Sequence, residues 1–201
     1  MSGSFPTSPK FRTLNFQDNR PVLVNQTLSG KKTARQVGGQ FFSFTVAMPP
    51  MTQAEAQSIF AFLQKQKGGF ENFTIQYPTD NLGSNRTQTD ILVAGAHSAS
   101  DASIALDGFD TNTAGVLKAG DLIKFANHSK VYMVQSDIDS DGSGACTVLI
   151  SPSLVTTLAD NEAVTVNKPS LTVYLSSNEI MYTTDTSGLY NISFEVREVV
   201  T

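Results

Sequence analysis

Alternating hydrophobic and polar residues define the clearest element of the chain, a strand over residues 40–48. Phe42, Phe44, Val46 and Met48 fall on one side of this strand, with Ser, Thr and Ala between them, which is the period-2 pattern of a half-buried strand. Two prolines then end the pattern. The sequence therefore predicts a strand with one face buried in a core.

A helical pattern follows over residues 52–67. Thr52 and Glu55 have the spacing of a capping box, and apolar residues then recur at the i, i+3, i+4 and i+7 positions of one helix face. Gly68 stands where glycine commonly ends a helix in the left-handed conformation. Residues 73–77 alternate again, so the sequence predicts strand, capped helix and strand in one unit.

The end of the chain repeats the pattern of the first strand. Residues 190–196, in the run SGLYNISFEVREV, alternate apolar with polar residues, and we predict that this strand pairs with the strand at 40–48 in one sheet. Short apolar runs before residue 37 predict two further strands that lead into this sheet as a meander. Residues 1–80 and 170–201 are therefore predicted to form one domain.

The middle of the chain contains short β-type runs separated by Gly, Asp, Asn or Ser, and it has no helical period. This pattern predicts a small β-barrel or sandwich over residues 81–169. Residues 79–90 are polar except for Leu82, and we interpret them as an exposed linker of the kind at which domain insertions are tolerated. The predicted fold is mainly β with one α-helix: a β-sandwich or barrel domain that carries an inserted small β-barrel.

Composition excludes several classes of protein. The net charge is −4, with 14 Lys and Arg against 18 Asp and Glu, which disfavours nucleic-acid-specific binding through a basic face. The single cysteine, Cys146, allows no internal disulfide or thiolate metal site, and we interpret it as a small apolar filler. No apolar run approaches the ~18 residues of a membrane span, so we predict a soluble protein without a membrane segment.

Candidate chemistry is sparse. Residues 137–142 read DIDSDG, the front half of an EF-hand calcium loop, but the position of the final bidentate Glu is Val148 and the flanks predict strands. We therefore interpret this segment as an acidic hairpin tip. His97 and His128 lack a ligand or general-base pattern. The sequence predicts no catalytic residue, no metal and no cofactor.

Two features predict contacts between copies of the chain. Residues 30–39 are polar and basic, with too few apolar residues to be ordered within a monomer. Two phenylalanines lie off the main apolar faces of their strand and helix, as in surfaces that meet another subunit. The candidate subunit-interface residues are Lys31, Lys32, Arg35, Gln36, Phe41 and Phe62.

Two long runs resemble bacteriophage tail proteins. The run GGQFFSFTVAMPPMTQAEAQSIFAFLQKQKGGFENFTIQYP is similar to a tail-protein segment with a strand, two prolines, a helix ending at Gly and an F-x-x-F-x-I strand. The run GDLIKFANHSKVYMVQSDIDSDGSGACTVLISPSL is similar to a small β-domain of phage structural proteins. Together they resemble distal tail proteins, which form a hexameric ring between tail tube and tail tip.

This resemblance implies a structural virion protein of the tail, made in the host cytoplasm and not an enzyme. Its expected partners are itself, as a homohexamer, the tail tube protein on one side and tail-tip hub or baseplate proteins on the other. Two alternatives stay open. One is a carbohydrate-binding tail-tip module that contacts the host surface, with Tyr132 as its plausible sugar platform, and the other is a tail-tube or tail-completion subunit.

Overall fold

The structure is a computed structural model, and it describes residues 3–184 and 186–200. The fold of these residues is mainly β with one α-helix, as predicted. None of the helices in the described ranges is long and apolar enough to cross a membrane. The strands are β1 (Thr13–Asn19), β2 (Val22–Gln26), β3 (Lys32–Gln36), β4 (Phe41–Ala47), β5 (Phe73–Gln76), β6 (Leu92–Val93), β7 (Ser103–Asp107), β8 (Leu122–Phe125), β9 (Tyr132–Val134), β10 (Cys146–Ser151), β11 (Val164–Thr165), β12 (Ser170–Leu175), β13 (Tyr182–Thr184) and β14 (Tyr190–Glu198), and the helix is α1 (Gln53–Lys65).

The chain forms two compact units. The first unit comprises the residues up to Phe73 together with Val173–Val200, and the second unit comprises Thr74–Thr172. The chain passes from one unit to the other within β5 and returns within β12.

The first unit is organised around the pair β4 and β14. Its sheet has the order β1-β4-β14-β12-β5, and β13 also pairs with β14. In the antiparallel register, Val46 lies opposite Phe194 and Phe44 lies opposite Val196. Side chains alternate between the two faces of a strand, so these four residues lie on the same face of the sheet. All four are buried, and this face is therefore the one that covers the core. The predicted pairing of these strands is confirmed.

The predicted helix packs against β14, and its buried residues are Ala56, Ile59 and Leu63. The backbone N–H and the hydroxyl of Thr52 donate to Glu55 Oε2 at 3.0 and 2.7 Å. These hydrogen bonds lower the pKa of the Glu55 carboxyl and confirm the predicted N-terminal cap.

The meander predicted before residue 37 is wrong. β1 pairs directly with β4, and Phe16 lies opposite Phe44. Among the described strands, β2 and β3 pair only with each other, as a separate two-stranded sheet. Val22 and Val24 have the composition of a buried strand, but their hairpin has no core to cover, and both side chains are exposed.

The second unit contains a nearly closed six-stranded barrel with the order β11-β8-β9-β10-β7-β6. Its ends meet where Val93 N–H donates to Glu162 O at 3.0 Å and Val164 N–H donates to Ile91 O at 2.9 Å. All six strands coincide with β-type runs of the sequence. The barrel core consists of buried side chains that include Ile104, Leu106, Phe125, Tyr132, Val134 and Val148.

Residues 79–90 are mostly exposed, as predicted, but the interpretation of this segment as a linker is wrong, because it is hydrogen-bonded into the second unit. Asn81 is buried, and its Nδ2 donates to Leu122 O and Val166 O, both at 2.7 Å. The N–H groups of Leu82 and Gly83 donate to the carboxylate of Asp121 at 2.7 and 3.0 Å. The polar residues of this segment thus hold it against strands of the second unit.

Candidate subunit interface

Four of the six candidate residues lie on one element, the hairpin of β2 and β3, which we call the basic hairpin (residues 22–36). Its base is held by Val37 N–H, which donates to Pro21 O at 3.0 Å, and its turn by Thr27 N–H, which donates to Lys31 O at 3.0 Å. Every residue of both strands is exposed. An isolated two-stranded hairpin is at best marginally stable in water, so this element lacks the packing that would stabilise it within the monomer.

The basic hairpin combines positive charge with exposed aliphatic side chains. Leu23 is 60% exposed and lies opposite Arg35, so the two side chains share one face. Leu28, at the turn beside Lys31 and Lys32, is fully exposed. Residues 21–39 contain no acidic residue. The sequence does not reveal the apolar part of this surface, because the apolar run Val22, Leu23 and Val24 predicts a strand that leads into the main sheet, and in the structure all three side chains are exposed.

The structure separates the two candidate phenylalanines. Phe41 begins β4, close in sequence to the hairpin, and the Arg197 guanidinium lies 3.6 Å above its ring centroid. Phe62, on α1, packs edge-on against Phe5 and Phe73 with ring centroids 5.6 and 5.5 Å apart. Phe62 is half-buried by these contacts. A role for either phenylalanine between subunits stays a prediction.

A second surface of the first unit escaped the sequence analysis. After Ser176, whose N–H still donates to Glu195 O at 3.0 Å, residues 177–181 leave the strand pairing and open a cleft of about 610 Å³ beside β14. We call it the Met181 cleft. Met181 is 72% exposed there. The cleft is lined by the apolar residues Leu175, Ile180, Met181 and Phe194, by Thr45, Ser177 and Ser193, and by the acidic residues Glu179 and Glu195. Leu175 and Phe194 belong to the buried core, so Ile180 and Met181 supply its accessible apolar surface.

The carboxylates of the acidic tip at residues 137–142 accept hydrogen bonds from nearby backbone and side-chain groups and form an ion pair. Asp141 Oδ1 accepts from the Ser143 hydroxyl, the Ser143 N–H and the Ala145 N–H at 2.7–2.9 Å, which lowers the pKa of Asp141. Asp137 pairs with Lys118 at 2.8 Å, so the pKa of Asp137 is lowered and that of Lys118 is raised. In residues 3–184 and 186–200, no group of three or more His, Cys, Asp or Glu side chains is arranged to hold a metal ion.

We expect millimolar calcium to leave the melting temperature unchanged, because Asp139 and Asp141 already accept backbone N–H groups and Val148 is buried. Differential scanning fluorimetry in calcium, in magnesium and in a chelator would measure this. A rise of several degrees with calcium alone, abolished by Asp139→Ala, would show that the tip is a calcium site.

His97, His128 and Tyr132 make hydrogen bonds within the second unit and have a structural role there. His97 Nε2 accepts from Ala105 N–H at 3.2 Å, and His128 Nδ1 lies 2.7 Å from the Tyr132 hydroxyl. Tyr132 is fully buried, so its proposed role as a sugar platform is wrong. In β9 its ring faces inward and packs on Phe125, with ring centroids 5.4 Å apart.

The single cysteine lies at the start of β10 and packs against the barrel core. Burial raises the pKa of Cys146 to about 12. The thiol therefore stays protonated near neutral pH, where the thiolate is the reactive form. This environment agrees with the interpretation of Cys146 as an apolar filler.

Residues 83–168 match the sequence family described as "Distal tail protein pb9, B domain". The matched segment lies within the second unit, Thr74–Thr172. Comparison of the whole chain with curated proteins found no significant match. The family match confirms the resemblance to bacteriophage distal tail proteins. It supports a structural role in a phage tail and suggests a protein that is not an enzyme.

Proposed function

We propose that this phage tail protein, which carries a distal tail protein B domain, assembles into a hexameric ring that joins the tail tube to the tail tip or baseplate. The tail tube protein binds one side of the ring, and hub or baseplate proteins bind the other. The observation that carries the proposal is the basic hairpin, an ordered element with neither a core nor a packed face in its own monomer.

Ordering the hairpin has a cost that its own contacts do not offset. Fixing the backbone of one residue costs about 1–2 kcal/mol in conformational entropy. Full burial of one aliphatic side chain contributes about 1.5–3 kcal/mol. Val22, Leu23, Val24 and Leu28 are exposed in the monomer, so their burial against a neighbouring subunit would supply the missing stabilisation.

The charge of the hairpin favours a partner of opposite sign. Lys31, Lys32 and Arg35 give it three positive charges, while the whole chain has a net charge of −4. The rest of the chain is therefore acidic on balance. Complementary charge accelerates encounter and fixes the register of an interface, and a second copy of this chain is a partner with net negative charge outside its own hairpin.

A tail-tube subunit could use the same hairpin in a contact between copies that builds an open filament and not a closed ring. Contacts between two different surfaces of identical subunits give a ring when the rotation closes and an open filament when it does not. Negative-stain electron microscopy of the purified protein separates the two: closed six-membered rings support the proposal, and long tubes support a tube subunit.

We expect the parent protein to have six times the 21.6 kDa mass of one chain by mass photometry. Combining Lys31→Glu, Lys32→Glu and Arg35→Glu should leave the monomer folded by circular dichroism and weaken association at least tenfold, because a reversed hairpin repels an acidic neighbour. Incorporation into phage tails should fall in parallel.

The matched control reverses three exposed lysines of the first unit that lie outside the hairpin, Lys10, Lys65 and Lys67. It makes the same change in net charge and should assemble like the parent. A hairpin variant that assembles as well as the parent would show that the hairpin is only a solvated loop.

A further inference from the structure

We propose that the Met181 cleft of one copy receives the basic hairpin of the next copy. This inference rests on the proposed function, because it names the surface through which the copies associate. It places two features of the first unit in contact: a basic, aliphatic hairpin and an acidic, aliphatic cleft.

The two carboxylates of the cleft differ from the other described carboxylates of the first unit because their side chains have no partner among the described residues. Glu179 and Glu195 are exposed, and neither side chain makes an ion pair or hydrogen bond with any described residue. Asp18 accepts from Arg20 Nε at 2.7 Å, and Glu198 accepts from Phe42 N–H at 3.0 Å. The described acidic residues of this unit that already have partners are Asp18, Glu55, Glu71 and Glu198.

The cations of the basic hairpin also have no partner of opposite charge among the described residues. Lys31, Lys32 and Arg35 are exposed, and none of them lies within 4.0 Å of a carboxylate oxygen among the described residues. The first unit thus presents three unpaired cations on one element and two unpaired carboxylates in one cleft. Surfaces of opposite charge on identical subunits are complementary when one copy meets the next.

The aliphatic parts also correspond. On the hairpin, Leu23 shares a face with Arg35, and Leu28 stands beside Lys31. In the cleft, the exposed Met181 and the half-buried Ile180 line the same opening as Glu179 and Glu195. The cleft volume of about 610 Å³ lies within the range of about 300–1,000 Å³ that is common for sites that enclose a ligand. It can therefore accept the leucines of the hairpin while the charges pair at its edge.

The partner is a second copy and not the same chain. Leu23 and Leu28 are exposed, and so is Met181, so the hairpin and the cleft of one monomer do not cover each other. A contact between two different surfaces is heterologous, and repeated around an axis it generates a ring.

Two reversed variants and their mixture test the contact by mass photometry. One variant carries Lys31→Glu, Lys32→Glu and Arg35→Glu, and the other carries Glu179→Lys and Glu195→Lys. Each alone should associate at least tenfold more weakly than the parent, because like charges then meet. Their equimolar mixture should recover rings of alternating chains, since each hairpin again meets a cleft of opposite charge.

Asp90→Lys with Asp107→Lys on the second unit makes the same change in net charge as the cleft variant, and it should assemble like the parent. Glu179→Gln with Glu195→Gln keeps the side-chain size and should weaken association without reversing it. This neutral pair also decides the question if the lysine variant does not fold.

Cleft variants that assemble like the parent, while the hairpin variant does not, would overturn this inference and leave the ring proposal standing. A mixture that fails to recover assembly, although each variant is folded, would overturn it as well. A parent protein that stays monomeric and is missing from tails would overturn the ring proposal together with this inference.

Discussion

Asp121→Ala is expected to lower the free energy of unfolding of the second unit by about 3–5 kcal/mol, because it removes the shared acceptor of three backbone N–H groups. The carboxylate of Asp121 is buried and accepts from Leu82 N–H at 2.7 Å, Gly83 N–H at 3.0 Å and Lys118 N–H at 2.9 Å. A buried donor left without an acceptor costs about 1–3 kcal/mol. Since domains are stable by only about 5–15 kcal/mol, the loss is a large fraction of the total.

Differential scanning calorimetry measures this effect as a lower melting temperature. Asp121→Asn retains one acceptor oxygen without the charge, and we expect it to fall between the parent and Asp121→Ala. Asp107→Ala removes a carboxylate that makes no hydrogen bond or ion pair with the residues the structure describes, and it serves as the control. An Asp121→Ala protein within 0.5 kcal/mol of the parent, the ordinary range of surface substitutions, would contradict the anchoring role.

The anchored segment approaches the barrel closely at Gly83. A Cβ atom at this position would lie 2.3 Å from Val116 O and 3.0 Å from Asp121 Oδ2. Real Cβ atoms do not approach backbone oxygen so closely, so a side chain here would push the segment away from Asp121. This explains why a glycine stands in a segment that composition alone assigns to a flexible loop.

The elements that could be predicted from the sequence are those in which the order of apolar and polar residues indicates which side chains are buried, or in which the stabilising contacts are local. The alternation in β4 and β14 specifies which side chains face the core, and both strands pair as predicted because each needs a partner for its sheet. The T-x-x-E spacing places the start of α1 for a local reason, since the capping hydrogen bonds join Thr52 to Glu55.

What could not be predicted depends on partners far away in the chain. Asn81 donates to carbonyls of Leu122 and Val166, which lie 41 and 85 residues away, so its local composition resembles that of an exposed loop. Val22 and Val24 have the residue types of a core strand, and only the topology reveals that no core covers them.

The candidate interface divides in the same way. The basic residues Lys31, Lys32 and Arg35 were identified from composition, because charge without apolar support predicts a segment that is not buried in its own monomer. The Met181 cleft could not be predicted, since it arises where residues 177–181 leave the pairing along β14. No periodic pattern in the sequence marks such an interruption.

Deletion of residues 82–168, with a short linker in their place, is expected to leave a folded β-domain that unfolds cooperatively. The first unit has buried side chains of its own on both its sheet and its helix, among them Phe44 and Val46 on β4 and Leu63 on α1. The cut ends are also close, because Tyr77 N–H donates to Pro169 O at 3.2 Å. A linker of a few residues can therefore join them with a small loop-closure cost.

Far-ultraviolet circular dichroism and the dispersion of amide signals in nuclear magnetic resonance spectra test the shortened protein. The control adds Val46→Asp, which places an unpaired charge in the core between β1 and β14 and should abolish folding. A random-coil spectrum for the deletion protein itself would contradict the division into residues 1–80 with 170–201 and an insertion. A folded deletion protein that still forms rings would in addition place the assembly contacts in the first unit, where both the basic hairpin and the Met181 cleft lie.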